Sequence, residues 1–467
     1  MLEGVRILDL TDHRGEVAAC LLGDLGAPVV KVEPPGGSPA RHQPPFLAAA
    51  DTEPASLQFA AYNANKRSIV LDPADGDDVR TLRDLVASSD IVFDSGPPGY
   101  LEEFGLAGDA ILGVNPTIVR VLVTAFGSDG PRANQPASDF TLAALGGPMR
   151  LQGPPDRGPV QVSVPQAWRH TGAEAAVAAL VGRTRARRSG QGQLVDVSAQ
   201  VAMTWTMLNA MEAWAVQGFD FERSGSVLKL AASFDLCSEC ADGHVVAVPL
   251  GRTVAPLVKW MYDEGAVGPE WLDEDWDTFD FRLLSGEDTC TDFAGVYEAF
   301  QVAFGRHTKR ELLTLGLDLG STLAPVNTIA DLAEFDHLAA RQFWRPAQVT
   351  PEVALDGPGG FAEVDGQRLE VRRHAPSPDE HGGHIRAGFS GPPARSRRDL
   401  GSADELPLAG LKVADFSWIG VGPITAKCLA DHGATVVRVE SENRIDGLRN
   451  QPPFKDGEDG PNRSNFF

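Results

Sequence analysis

Short apolar runs alternate with amphipathic stretches through the N-terminal part of this chain, and each run is about the length of a strand. VRILDL (5–10), PVVKVE (28–33), SIVLD (68–72), DIVFD (90–94) and TIVRVLVTAF (117–126) are dense enough in Val, Ile and Leu for strands buried on both faces. Between them, EVAACLLGDLG (16–26) repeats its apolar residues at helical spacing and stops at Gly26, and DDVRTLRDLVAS (77–88) is a second such helix. Strand and helix in turn predict an α/β fold on a parallel sheet.

The same pattern divides the rest. A long helix runs from about Thr171 through AEAAVAALVGRTRARR, breaks at 189–192 and gives way to a strand, QLVDVS. The stretch SAQVAMTWTMLNAMEAWAVQ (198–217) then reads as another long helix whose Met and Trp residues face a core. Residues 1–224 are expected to form a large domain. A hairpin-like CSECADGHVVAVPL and a set of helices mark a smaller inserted domain at 225–320, with the CSEC pair as a turn leading into a strand, and 321–373 returns to the large domain.

Residues 374–407 are dense in Pro, Gly, Ser and charge and read as a linker. The chain then restarts. GLKVADF (410–416) repeats GVRILDL (4–10), LADHGATVVRVE (429–440) repeats LGDLGAPVVKVE (22–33), and RNQPPF (449–454) repeats RHQPPF (41–46). Two βαβ openings can look alike by chance, but a shared hexapeptide beyond them argues for an internal repeat. Residues 408–467 are therefore read as the start of a second unit, cut short.

Composition narrows the function classes. With 41 Lys plus Arg against 64 Asp plus Glu, the formal charge of −23 repels nucleic acid and anionic membranes at long range. The N-terminus enters a strand pattern at once and no run approaches the roughly 18 apolar residues of a membrane helix, so a cytoplasmic protein is expected. Five cysteines (Cys20, Cys237, Cys240, Cys290, Cys428) are too sparse for a disulfide framework, and Cys237 with Cys240 lacks the second pair that a zinc site needs. No metal and no tightly bound cofactor are expected. GxGxxG after the first strand, GxxxxGK[ST] and HExxH are all absent.

What remains is an ordered series: GVRILDL, LGDLGAPVVKVEPPGGSPAR, NANKRSIVLD, FGSDGPRANQPASDF, GQGQLVDVS and APVNT. In this order the motifs resemble the family III CoA-transferases, the group that includes formyl-CoA transferase, carnitine CoA-transferase and the α-methylacyl-CoA racemases. The resemblance covers roughly 1–373 as one unit and 408–467 as the opening of another. It implies a Rossmann-like large domain, a smaller domain, and two units interlocked as a dimer, in cis or in trans. It also implies acyl-CoA and a carboxylic acid as substrates, coenzyme A being carried as the thioester. In such enzymes an Asp attacks the acyl-CoA carbonyl, giving a mixed anhydride and CoA thiolate; only a carboxylate yields an anhydride that can be reopened.

The family sets that Asp just before a Thr-Gly or Ala-Gly pair that opens a long helix. Here the matching stretch is PQAWRHTGAEAA (165–176), and Trp168 stands at the Asp position. Glu174, further along the helix, is a weaker substitute, and His170 is a helix-start residue. The racemase branch pairs a His with an Asp where this chain has Ser138-Asp139, so a racemase or lyase relative is a secondary alternative; Asp139 is expected in a turn or helix cap. Arg41 matches a family arginine near the CoA phosphates, and Lys66 with Arg67 match a basic pair near the nucleotide. Ordinary surface charge is an equally good reading of all three. In DSGPPG (94–99), Ser95 and Pro97 replace the family's Asn and Arg. The second copy keeps Gly422-Pro423 in its first βα turn and Arg449 opposite Arg41, whereas the first copy reads DHRGEVAA there.

These residues lead to a CoA-transferase whose first unit is catalytically degenerate. A noncatalytic CoA-binding or structural partner subunit is the alternative from another class, and an α/β protein binding a different nucleotide is a third.

Overall fold

The computed structural model describes residues 1–47, 55–95, 100–229, 233–350, 353–388, 405–443 and 445–464. Position 97 and residues 389–404 of the Pro/Gly-rich stretch lie outside them. Two compact units result.

The first unit comprises the described residues of 1–148, 161–211 and 337–448. It is built on β1 (Ile7–Leu10), α1 (Glu16–Asp24), β2 (Val29–Glu33), β3 (Lys66–Val70), α2 (Gly76–Ala87), β4 (Ile91–Asp94), β5 (Val119–Thr124), α3 (Asp139–Leu145), α4 (Ala167–Ser189) and β6 (Gln193–Ser198). The six strands form one parallel sheet in the order β3-β2-β1-β4-β5-β6. The strand order reverses between β1 and β4, the doubly wound arrangement whose ligand crevice lies at the carboxyl ends of the strands. Strands β1, β2 and β4 are buried along their whole length, as their unbroken apolar runs require. One face packs against α2, with Leu8, Leu10, Val30 and Val32 in the same core as Leu82, Leu85 and Val86. On α4, a Cβ at Gly172 would lie 2.7 Å from Val17 of α1, so glycine lets the two helices meet.

Two expectations change here. The stretch 198–217 is two helices, α5 (Ala199–Trp205) and α6 (Leu208–Gln217), broken at Thr206 and Met207. Ala199, Ala202, Met203 and Ala213 turn inward while Trp205 and Trp214 are exposed. Alanines and Met203 make the close contacts, while the two tryptophans are outside.

The first part of the stretch read as linker, 374–388, is docked against β3, the edge strand. His381 N donates to Ser68 O (3.1 Å), Val70 N donates to Asp379 Oδ1 (2.9 Å), and Arg386 Nη2 donates to Val70 O (2.7 Å). Ile385 joins the core beneath α2. An edge strand presents unpaired backbone groups, and this segment satisfies them.

The second unit comprises the described residues of 149–160, 212–336 and 449–467. Its hairpin pairs β7 (Cys237–Cys240) with β8 (Gly243–Ala247), so the CSEC pair is itself a strand and the turn is at Ala241-Asp242. An aromatic core of Trp271, Trp276, Phe279, Phe300 and Phe304 lies under it, with α7 (Phe293–Phe304) contributing the last two. The pattern placed the return to the large domain at 321, but β9 (Leu323–Pro325) pairs with β8 and keeps the chain in this unit. Among the described residues no helix is long and apolar enough to cross a membrane.

Residues 408–440 fold as β10 (Lys412–Asp415), α8 (Val421–Asp431) and β11 (Thr435–Arg438), a parallel βαβ. Val413 pairs with Val436 and Asp415 with Arg438. These are the counterparts of Ile7 with Val29 and Asp9 with Lys31, so the two copies share one register.

Candidate active site

Asp9 of β1, Lys31 in the middle of β2 and Lys66 at the amino end of β3 come together within the sheet, all fully buried. Lys66 Nζ donates to Asp9 Oδ2 (2.7 Å), Asn63 Oδ1 (2.9 Å) and the Glu16 carbonyl (3.0 Å). Lys31 Nζ donates to the Thr11 carbonyl (2.8 Å) and lies 3.5 Å from Asp9 Oδ2. Thr11 closes the turn by donating its hydroxyl and its backbone N–H to Asp9 Oδ1. Burial alone would raise the Asp9 pKa, but the ammonium groups of Lys31 and Lys66 outweigh it and hold the carboxyl far below its usual range.

Glu16, the first residue of α1, accepts from Gln58 Nε2 (3.1 Å) and Asn63 Nδ2 (2.9 Å). Burial raises its pKa despite the two lysines nearby. A raised folded-state pKa means that its contribution to stability is present below its unfolded pKa and is lost as pH rises through the folded value. Glu16→Gln is therefore expected to hold or raise stability at pH 7 by up to about 1 kcal/mol, with the difference shrinking as pH falls through the raised folded value and gone below the unfolded pKa of about 4.3. Urea titrations of both proteins across pH check this; a gap that widens in acid would refute it.

Arg41 lies beside this network. Its Nε and Nη2 make a bidentate pair with the buried Glu33 carboxylate, both at 2.7 Å. Nη2 also reaches the Pro376 carbonyl (2.8 Å), and the guanidinium stacks 4.0 Å from the Phe59 ring. Against burial, that guanidinium keeps the Glu33 carboxyl below its ordinary range. Lys66 and Arg67 are consecutive on β3 and so face opposite sides. Lys66 spends its three donors inside the fold, while Arg67 is half-buried near Arg373 and Arg372, and burial with these like charges lowers its pKa.

The start of α4 is organised by Asp139. Its Oδ1 accepts from the backbone N–H of Ala167 (2.7 Å) and of Trp168 (3.4 Å); its Oδ2 accepts from Gln166 N and Gln161 Nε2, both at 3.0 Å. The expected capping role is thus played for α4, whose first orphan donors it satisfies. Trp168 is buried in that first turn, whereas His170 and Glu174 are exposed. Glu174 faces Cys428 of α8, where burial first and then this carboxylate push the thiol pKa up. Both oxygens of Asp139 are engaged, so neither is a free nucleophile.

The second copy reproduces part of this geometry. Ser417 donates its hydroxyl and its N–H to Asp415 Oδ1, as Thr11 does to Asp9. A Cβ at Gly422 would lie 2.1 Å from the Ser417 side chain, and one at Gly15 would lie 2.7 Å from Thr11. Glycine at this place therefore serves the close approach of helix to strand in both copies. Counting back from the helix ends Asp24 and Asp431, Pro423 stands where the first copy has Glu16. Arg449, in the second unit, donates to Asn462 Oδ1 (2.7 Å) and the Pro461 carbonyl (3.1 Å).

The buried tetrad of Asp9, Lys31, Glu16 and Asn63 was not anticipated as a site. One signal pointed to it: Asp9 and Asp415 are each followed two positions later by Thr or Ser.

Known proteins place the chain. The sequence profile of CoA-transferase family III matches residues 2–382 and 408–467. Succinyl-CoA:(R)-benzylsuccinate CoA-transferase subunit BbsE of Thauera aromatica is 33% identical over 383 residues, covering 80% of this chain and 91% of that protein. The probable CoA-transferase Rv1866 of Mycobacterium tuberculosis is 31% identical over 450 residues, which are 95% of this chain but 54% of that protein. Among solved structures, a CAIB/BAIF family protein from Brucella suis superposes with a TM-score of 0.71 at 27% identity, covering 83% of this chain and 98% of the other. The chain belongs to CoA-transferase family III.

Proposed function

We propose that this chain acts within a CoA-transferase on acyl-CoA thioesters and carboxylic acids, that its first unit is a catalytically silent scaffold, and that residues 408–467 open a second unit. The observation that carries this reading is the first turn of α4. Buried Trp168 occupies the position matched to the family's nucleophile, and Asp139, the carboxylate bonded there, is committed to backbone and amide donors. Without a free carboxylate at that position no acyl anhydride can form there, and Glu174 lies further along the helix. Arg41 and Lys66 are likewise spent on Glu33 and Asp9. No cofactor beyond CoA is part of the reading, the working assembly pairs the chain with a second CoA-transferase unit, in cis or in trans as an interlocked dimer, and the setting is the cytoplasm.

A second reading is favoured by the relative matched over 91% of its length, which is named as a subunit. Under it, this chain is a noncatalytic partner of a separate active polypeptide. Both readings expect the 467-residue protein alone to give no CoA transfer from succinyl-CoA to a panel of carboxylic acids, followed by chromatography of the CoA esters. Robust turnover would sink both.

A further inference from the structure

A doubly wound sheet has its ligand crevice where the strand order reverses, between the loops that leave the carboxyl ends of β1 and β4. Here those loops are stitched together. The β1–β4 ladder ends at Leu10 with Asp94, and side chains continue the pairing past the point where the two loops part. Asp12 N donates to Ser95 Oγ (3.0 Å), and the Ser95 hydroxyl donates to Asp12 Oδ1 (3.1 Å). Arg14 forks onto the same carboxylate, with Nε 2.9 Å from Oδ1 and Nη2 2.8 Å from Oδ2, and its Nη2 also donates to the Ser95 carbonyl. A Cβ at Gly15 would lie 3.5 Å from the Ser95 Cβ, so the two turns stand in van der Waals contact.

Burial alone would raise the Asp12 pKa, but the hydrogen bonds and charge of Arg14 outweigh it and hold the carboxyl below its ordinary range. The pair is therefore ionised at neutral pH. An outside anion seeking Arg14 would have to break a bidentate fork, the strong geometry for a guanidinium on a carboxylate. The second copy lacks both charges. Counting from Asp415, Trp418 stands at the place of Asp12, and counting back from the helix ends Asp24 and Asp431, Val421 stands at the place of Arg14.

We infer that the Asp12–Arg14–Ser95 stitch closes the switch-point crevice of the first unit, so that this unit holds no CoA. Arg14 acts as an internal cation already neutralised by an internal anion, and Ser95, 2% exposed, is the fixed point to which both are tied. The inference rests on the silent-scaffold reading and deepens it: that reading removes the nucleophile, and the stitch removes the ligand.

The test compares the 467-residue wild type with Asp12→Ala/Arg14→Val, which deletes both charges together, with and without millimolar CoA. Hydrogen exchange of backbone amides in 9–16 and 91–95 is followed by mass spectrometry, which keeps this crevice apart from any CoA held by residues 408–467. Without CoA, residues 11–16 of the variant are expected to exchange at least about tenfold faster than in the wild type. With CoA, the wild type is expected to be unchanged and the variant to slow at least about threefold. CoA-dependent protection of 9–16 in the wild type overturns the inference, as does a variant that exchanges at the wild-type rate or that CoA leaves unchanged. Should the double variant also lose protection in β5 and β6, and so be unfolded, Arg14→Lys takes its place under the same criteria, since it keeps the charge and loses the fork. CoA turnover by the wild type without protection of 9–16 would sink the silent-unit reading alone, and protection without turnover would sink only the closure.

Discussion

Asp9→Ala is expected to cost the first unit about 3–5 kcal/mol, because it leaves two buried ammonium groups without the carboxylate that bridges them. Lys66 would keep only the Asn63 and Glu16 oxygens, and Lys31 the Thr11 carbonyl. Neither side chain can reach water without opening the sheet, since both are fully buried. Urea midpoints of the wild type and Asp9→Ala at pH 7 measure the loss, and a difference under about 1 kcal/mol would show that the charges are not what holds the strand ends together. The pH dependence follows from the depressed pKa. Asp9 contributes its stabilisation above its unfolded pKa of about 3.9, and that contribution is lost as pH falls through this value toward the lower folded one. The gap between wild type and variant should therefore narrow in acid. Glu16, with its raised pKa, has the opposite sign, so a double variant separates the two carboxyls.

Phe300→Ala is expected to cost the second unit a similar amount, about 3–5 kcal/mol. The ring is fully buried and stacks on Phe304 with centroids 4.8 Å apart, in the core that also holds Trp271, Trp276 and Phe279. Truncation removes the transfer term and leaves a cavity that these rigid rings cannot collapse to fill. Because the chain has two compact units, a single global transition is not assumed. Exchange protection in the β7–β8 hairpin reports the loss directly, and it should fall there while β1 and β2 keep theirs. Loss of protection in both units would show that the small unit does not unfold by itself.

Much of the architecture was legible because the strands are continuous apolar runs and the helices between them have helical periodicity. VRILDL, DIVFD and QLVDVS are strands in the structure, and the repeat in 408–440 folds in the register of its counterpart. The site was less legible. Lys66 and Arg67 read together as a basic pair near the nucleotide or as surface charge, but neighbouring strand residues face opposite sides, and the partner that draws Lys66 inward lies 57 residues away in sequence. Trp205 and Trp214 read as core from the apolar periodicity of 198–217, whereas Ala199, Ala202, Met203 and Ala213 make the close contacts. The docking of 374–388 was hidden by its composition. Proline, glycine and charge do describe a linker, but they carry no information about the open edge of β3 that recruits Asp379, His381 and Arg386.

Matching register in two copies also sets an order of events on the ribosome. Both βαβ openings could accept the same strand–helix–strand, and residues 64–95 fill the first of them. The first opening lies beside that segment in sequence, at a loop length roughly tenfold shorter than the second, which is worth about 2 kcal/mol in closure entropy. It is also synthesised hundreds of residues earlier. When 408–440 emerges, residues 64–95 are already paired with β1 and β2, so the first copy is complete before the second can compete for its strands.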